Sequence, residues 1–358
     1  MIALLWLPLV LLSLLEGGFS GTKVSEPLIS DIVPNVRFLI ALPLLLLADI
    51  DINLATGSAI YQLEASGVVP THEKARYDAA LTRLRGARDS VWPDIVIVLL
   101  AFAFTWLIKP GYGDSALEAT TTSWLGTVRD GEVQYYSAAG WWYLLVSGPM
   151  FQVILFRWFW RFFIWTAFLF RVSRLPLKLR PTHPDLAGGL GYLGVAQQSF
   201  VVIFLAFATV ASSTIAHDLL SEGNTFQDER VEILALVCTF TVVLYVPLLF
   251  FVRKLFEARR AGLKEYGSLG EKLSDAFHGK WVADKENPTG EELLTSADPS
   301  AMADYSATYD NVRSMRVVPV TLRQVLSAAG LLLVPFLPLA LTEFSIEDLL
   351  SRLTEALV

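Results

Sequence analysis

The chain has few of the residues that catalytic and metal sites usually require. Its 358 residues include one cysteine, Cys238, and four histidines, so an intrachain disulfide is excluded. The histidines are scattered, and the sequence contains neither a metal-binding cluster nor a Ser/His/Asp set. The glycine-rich stretch Gly188–Gly194 is not followed by the Gly-Lys-Ser/Thr of a phosphate-binding loop. We therefore expect no metal, no cofactor and no enzymatic activity.

Charged residues are also scarce. They make up 18% of the chain, whereas soluble domains keep about a quarter of their residues charged. Apolar residues make up 54%, with 10 Trp and 22 Phe. This composition is typical of an integral membrane protein, whose main partner is the lipid bilayer.

Seven apolar stretches predict an all-α fold, a polytopic transmembrane bundle of about seven helices, six of them within residues 1–252. A helix needs roughly 20 apolar residues to cross about 30 Å of hydrocarbon, and only the fifth and sixth stretches reach this length unaided. The first lacks the basic segment and cleavage pattern of a signal peptide. We expect it to be retained; six crossings remain if it is cleaved. The stretches are Ile2–Leu15, Phe38–Leu47, Ile95–Ile108, Gly140–Phe156, Val195–Ala216, Ile233–Val252 and Val325–Leu341.

The basic residues predict the orientation. When the segments between crossings are assigned alternately to the two sides, 22 of the 28 Lys and Arg residues fall on one side: 5 in 53–91, 6 in 157–193 and 11 in 253–323. An excess of Lys and Arg in short loops marks the cytoplasmic face. We expect a cytoplasmic N-terminus and an external C-terminus. Basic residues sorted in this way favour no nucleic-acid partner.

The largest soluble segment is 253–323. Its first half predicts a helix that extends the sixth crossing into the cytoplasm, and 284–300 has the composition of a flexible linker. Because 253–316 is small for an independent domain, we expect it to pack on the membrane portion. The last crossing, 324–342, leads to 343–358, where leucines at helical spacing predict a short amphipathic helix on the outer surface.

Arg157 and Arg161 are the most unusual charges in the chain. They lie four residues apart, and hence on one helical face, in an aromatic run at the cytoplasmic end of the fourth crossing. One interpretation places the arginines at lipid headgroups and the aromatic residues in an interfacial belt. In a second, both arginines face a water-filled vestibule that attracts anions. In a third, they bind a lipid phosphate.

A loop rich in proline and glycine follows, at 175–194. Its prolines prevent a continuous helix, and Arg180, His183 and Asp185 supply charged or titratable groups. The residue types allow Asp185 either to pair with Arg180 or to cap a following helix. A helix that begins at Pro184 and Asp185 and leads into the fifth crossing is one interpretation of the loop. A gating or ion-binding role is the other.

The fifth crossing carries small residues at four-residue spacing, which lets a neighbouring helix approach closely. It also carries polar side chains that need partners in hydrocarbon. Packing within the bundle or between subunits is one interpretation, and pore lining is the other. The small residues are Ala208, Ser212 and Ala216; the polar ones include Gln197 and Gln198, with Gln152 of the fourth crossing as a candidate partner.

Three stretches resemble a group of uncharacterised bacterial multi-pass inner-membrane proteins. They are Gly140–Ser147, Thr182–Gly191 with its His-Pro-Asp tripeptide, and Ser296–Asp304. The resemblance spans most of the chain. It implies a location in the bacterial inner membrane and carries no activity.

Two functions remain open. The first is a channel or channel-like transporter for small anions, formed by a homo-oligomer, with Arg157, Arg161 and the 180–194 loop at its cytoplasmic mouth, because positive charge raises the local anion concentration. The alternative is a non-catalytic membrane scaffold that binds a cytoplasmic protein through 253–316. A dry contact between the fourth and fifth helices would favour the scaffold.

Overall fold

Helices dominate the structure, as the apolar stretches predict. The computed structural model describes residues 1–20, 24–107, 121–129, 132–221, 226–283, 293 and 295–340. Within these ranges, five helices are long and apolar enough to cross a membrane, or six if two helices joined at a bend of 44° are counted as one span. The predicted all-α transmembrane bundle is therefore confirmed.

The helices follow one another with short breaks. Two π-helical turns, Arg37–Ala41 and Tyr143–Ser147, join α2 to α3 and α6 to α7, and a 3-10 turn, Val246–Phe251, joins α10 to α11. The helices are α1 (Ile2–Glu16), α2 (Ile32–Val36), α3 (Leu42–Ala65), α4 (Lys74–Arg88), α5 (Val91–Leu107), α6 (Ala138–Trp142), α7 (Gly148–Ser173), α8 (Gly191–Gln198), α9 (Val201–Ser221), α10 (Phe226–Tyr245), α11 (Val252–His278), α12 (Asp298–Arg313), α13 (Leu322–Leu333) and α14 (Leu337–Ala340).

The first and third predicted crossings are shorter than a full span. Helix α1 has 15 residues, fewer than the roughly 20 that a bilayer requires, yet its Leu5 and Leu9 are buried against the bundle. The Ser147 hydroxyl donates to the Leu5 carbonyl at 2.8 Å. Helix α5 begins at Val91, and within the described residues it reaches spanning length only together with α4 across the 44° bend.

A small antiparallel sheet lies at one end of the bundle and was not predicted. Its strands, in the order β1 (Thr121–Ser123), β2 (Gly126–Arg129) and β3 (Glu132–Tyr136), precede α6. The Trp124 indole donates to the Asp31 carboxylate at 2.8 Å, just before α2. We call this the sheet end. The opposite end, where α3 and α7 finish and residues 175–190 lie, is the loop end.

Helices α11 and α12 form a hairpin at the loop end. Helix α11 extends the sixth crossing, because α10, the 3-10 turn and α11 belong to one helical run, Phe226–Ala283, of 58 residues. Gly270 lets α12 approach, since a Cβ there would lie 2.2 Å from the Tyr305 hydroxyl. The predicted linker 284–300 ends early because α12 begins at Asp298. Its residues 284–292, like the predicted helix at 343–358, lie outside the described residues.

Candidate functional site at the loop end

The Asp185 carboxylate organises the 175–190 loop. It accepts backbone hydrogen bonds from Ala187 at 2.8 Å, Gly189 at 3.1 Å and Gly191 at 2.8 Å. Gly188 and Gly189 adopt positive φ angles of 66° and 92°, which glycine tolerates without steric cost. The chain can therefore wrap around the carboxylate. Since Gly191 is the first residue of α8, Asp185 also accepts a hydrogen bond from the N-terminus of this helix, which corresponds to the capping alternative of the two that the sequence left open.

The other predictions for this loop need correction. The helix begins at Gly191 and not at Pro184 and Asp185. The Asp185 side chain accepts hydrogen bonds from backbone N–H groups of the turn that follows it, and this local bonding competes with a helical backbone. Arg180 and Asp185 form no ion pair within the described part of the chain. The Arg180 backbone N–H instead donates to Gly188 O at 3.1 Å.

Hydrogen bonding outweighs burial in setting the charge of Asp185. Burial raises the pKa of this carboxyl. The backbone N–H donors and His183 together lower the pKa by more than burial raises it, so the pKa lies below its ordinary value. His183 Nδ1 is 2.8 Å from Asp185 Oδ1. Asp185 is therefore a structural anion at neutral pH, already surrounded by donors, which leaves it little capacity to bind a cation.

The loop joins several elements. The Lys178 N–H donates to Val68 O, just after α3, at 2.8 Å, and Lys254 of α11 donates to Leu175 O. Pro181 packs on α11 at Gly262, where a Cβ would lie 2.6 Å from the Pro181 Cβ. The loop thus acts as a junction between the membrane helices and the hairpin.

Arg157 and Arg161 each contact a carboxylate. Arg161 binds the Asp49 carboxylate and the Asn53 carbonyl oxygen, both on α3, and its guanidinium lies 4.5 Å from the centre of the Trp158 ring. Arg157 lies 3.8 Å from Asp94 of α5. The side chain of Arg161 is 21% exposed and that of Arg157 is 62% exposed. The carboxylates offset the positive potential on which the vestibule interpretation depends.

The tryptophans of the aromatic run bind protein carbonyls. Trp158 Nε1 donates to Leu45 O at 2.9 Å, and Trp160 Nε1 donates to Ala87 O at 3.2 Å. These indoles therefore fasten α7 to α3 and to the end of α4, whereas a purely interfacial belt would leave them among lipid headgroups.

Aromatic rings make the contact between α7 and α9, the fourth and fifth crossings. Ring centroids lie 4.9 Å apart for Phe159 and Phe207 and 5.6 Å apart for Phe162 and Phe204. Fully buried Gln197 accepts from Trp165 Nε1 at 3.1 Å and donates to a backbone carbonyl of α10. Both ends of its amide are therefore used within the protein.

The remaining polar residues of the fifth crossing also find internal partners. Ser212 donates to Pro335 O at 2.6 Å and Gln198 donates to Ser327 Oγ at 3.1 Å, so α9 and the preceding helix pack against the seventh crossing. Ala208 is buried and Ala216 is half-buried. Gln152 does not join them, because its Oε1 is buried without a hydrogen bond to any described residue. The packing interpretation accounts for these contacts.

A cleft of about 410 Å³ opens between α3, α4 and α7. Arg161 lines it together with two arginines of α4, Arg85 and Arg88, and one carboxylate, Glu64. The sequence marks α4 as a basic surface helix but does not show that it folds back toward Arg161. Arg88 is paired with the neighbouring Asp89 at 2.9 Å, so only part of this positive charge is available to a ligand.

Searches of known protein families, of curated proteins and of solved structures find no match for this chain. The resemblance to bacterial inner-membrane proteins therefore stays a prediction. The apolar helices support a membrane protein with an α-helical bundle fold, and its function has to be inferred from the geometry.

Proposed function

We propose that the protein is a non-catalytic membrane scaffold of the bacterial inner membrane that presents the α11–α12 hairpin to a cytoplasmic protein partner. The observation that carries this proposal is the continuous helical run that joins the hairpin to the bundle. Helix α11 continues the sixth crossing for 27 residues, a length of about 40 Å at 1.5 Å per residue. A flexible tether would not hold a partner at a set distance and angle from the membrane.

Contacts along its length support the hairpin's fixed position. Arg259 of α11 donates to Arg313 O of α12 at 2.8 Å. At the far end, Lys280 and the Trp281 indole both bind the Asp298 carboxylate, at 2.8 and 3.0 Å. At the base of the hairpin, the 175–190 loop contacts α11 through the bond between Lys254 and the Leu175 carbonyl.

The hairpin also exposes apolar side chains where the charge distribution predicts an aqueous surface. Leu269 is 51% exposed and Val282 is 58% exposed. Single exposed apolar residues are common, but aliphatic groups on a rigid helix are suitable anchors for a partner surface. The aromatic contact between α7 and α9 supports the scaffold in a different way, because a pore along those two helices would need polar, hydrated walls.

The experiment is affinity purification of the full-length protein from its native membrane, with bound proteins identified by mass spectrometry. Leu269→Glu and Val282→Glu introduce charge on the exposed hairpin surface, and Ala79→Glu introduces the same charge on the exposed face of α4. We expect a specific partner with the wild type and with Ala79→Glu, and its loss with the hairpin variants. Retention by both hairpin variants, or no specific partner for the wild type, would contradict the scaffold.

A channel-like transporter for small anions is the second candidate, and the cleft lined by Arg85, Arg88 and Arg161 favours it. A homo-oligomer would complete the path across the membrane. The test is anion flux in liposomes containing the purified protein. Arg161→Gln is expected to lower flux several-fold and Arg157→Gln, outside the cleft, to leave it nearly unchanged. The absence of any anion flux would rule this candidate out and leave the scaffold untouched.

A further inference from the structure

A second cavity lies at the base of the hairpin, where α7 ends and α11 begins. Its volume is about 420 Å³, and its lining includes three basic residues, Arg174, Arg253 and Lys254, with one acidic residue, Glu257. We call it the basal pocket. The sequence separates its two sides by about 80 positions, so only the tertiary structure brings these cations together.

The basal pocket has more positive charge than its own carboxylate can neutralise. Glu257 pairs with Arg253, at 2.9 Å between Nε and Oε1. Arg174 and Lys254 form no ion pair with any described residue. Lys254 uses one donor on the Leu175 carbonyl, and an ammonium group has two more. Two cations are thus available to an anionic ligand.

The geometry of Arg174 also suits an anion. Its guanidinium lies 4.8 Å from the centre of the Phe170 ring. Stacking on an aromatic ring holds the guanidinium plane while its N–H donors remain at the edge. Such a fork binds phosphate oxygens in pairs.

Apolar rings lie beside these cations. Phe170 and Phe250 meet edge to face with centroids 5.2 Å apart, and Phe170 is 42% exposed. In the sequence, Val252 ends the sixth apolar stretch and Arg253 begins the basic segment. The basal pocket therefore lies at the predicted boundary between hydrocarbon and headgroups, with rings for acyl chains and cations for a headgroup.

We propose that the basal pocket binds the phosphate group of an anionic phospholipid, with Arg174 and Lys254 as its main ligands. A soluble phosphate would use the same cations but would gain nothing from the exposed Phe170. The bound lipid would offset part of the net positive charge of the pocket and occupy the angle between α7 and α11. This inference does not depend on the scaffold function.

The test is native mass spectrometry of the full-length protein with defined lipids. We expect phosphatidylglycerol to be retained in preference to phosphatidylcholine, and the double variant Arg174→Gln/Lys254→Gln to lower phosphatidylglycerol affinity about 10- to 100-fold, since each tenfold step corresponds to about 1.4 kcal/mol. The control Arg260→Gln/Lys264→Gln removes two exposed charges from α11 outside the basal pocket and should change affinity less than about 2-fold. Circular dichroism and melting temperature establish that both double variants fold.

Three results would overturn the proposal. The first is equal affinity for the two lipids, and the second is an equal loss of affinity in both double variants; either would indicate only general attraction of the basic surface. The third uses inorganic phosphate as the probe. If phosphate binds in a manner that requires Arg174 and Lys254, and neither lipid binds in that manner, the ligand is a soluble phosphate. We expect inorganic phosphate to compete weakly, and only at concentrations far above those of the lipid.

Discussion

Arg316 binds two consecutive residues of the loop. Its side chain donates to Asp185 O at 2.6 Å, and its backbone N–H donates to Leu186 O at 2.7 Å. Arg316 follows α12, so this pair of bonds fastens the end of the hairpin to the turn that Asp185 organises. The His-Pro-Asp segment thus determines where the hairpin sits.

Removing the Arg316 side chain should loosen the hairpin. We expect Arg316→Ala to destabilise this junction by about 1–3 kcal/mol, because it leaves the Asp185 carbonyl without its charged donor. Limited proteolysis in detergent should then cut between α11 and α12 sooner than in the wild type. Arg313→Ala is the control, since the Arg313 side chain is exposed and only its carbonyl is used. Equal cleavage rates in the two variants would contradict this role for Arg316.

Asp185 should make stability depend on pH. Its folded-state pKa lies below the unfolded value of 3.8, so its contribution is present above that value and is lost as the pH falls through the folded-state pKa. We expect Asp185→Asn to be less stable than the wild type at pH 7, with the difference shrinking as the pH falls below 3.8. Thermal unfolding in detergent at several pH values measures this. Asp304→Asn, which removes an exposed carboxylate from α12, is the control for the loss of a surface charge. A stability difference for Asp185→Asn that stays constant with pH would exclude an ionic contribution.

Two glycines of α11 provide a matched comparison. A Cβ at Gly262 would lie 2.6 Å from the Pro181 Cβ, whereas at Gly267 it would meet only the Tyr309 hydroxyl at 3.9 Å. Gly262→Ala should therefore push α11 away from the loop and lower the melting temperature. Gly267→Ala should leave the melting temperature unchanged or raise it, because alanine in a helix is more stable than glycine by roughly 0.5–1 kcal/mol. If both substitutions stabilise the protein, the close contact with Pro181 is not important.

The orientation can be tested with introduced thiols. In a Cys238→Ser background, Ser268→Cys places a thiol on the hairpin and Ser30→Cys places one near the sheet end; both positions are exposed. The positive-inside distribution predicts that a membrane-impermeant maleimide labels position 268 only in inverted vesicles and position 30 only in right-side-out vesicles or intact cells. The opposite pattern would reverse the topology and remove the cytoplasmic setting of the scaffold.

Local patterns in the sequence agree with two helix boundaries in the structure. Pro93 lies in the first turn of α5, and Thr321 and Gln324 form a capping box at the start of α13. These signals depend on neighbouring residues, so they can be read without the fold. The start of the fifth crossing could not be predicted in this way. It depends on where the three N–H groups that bind Asp185 lie, and their positions follow from the path of the whole glycine turn.

The sequence by itself determined the class of protein, its apolar helices, their predicted orientation and the helical character of α11, because hydropathy and charge act locally along the chain. Only the tertiary structure decided the partners of its polar residues: Asp49 for Arg161, Trp165 for Gln197, and the shared pocket of Arg174 and Lys254. These contacts join residues that are far apart in the chain. Whether a charge is neutralised, buried or available to a ligand depends on what packs against it, and no spacing rule within one helix contains that information.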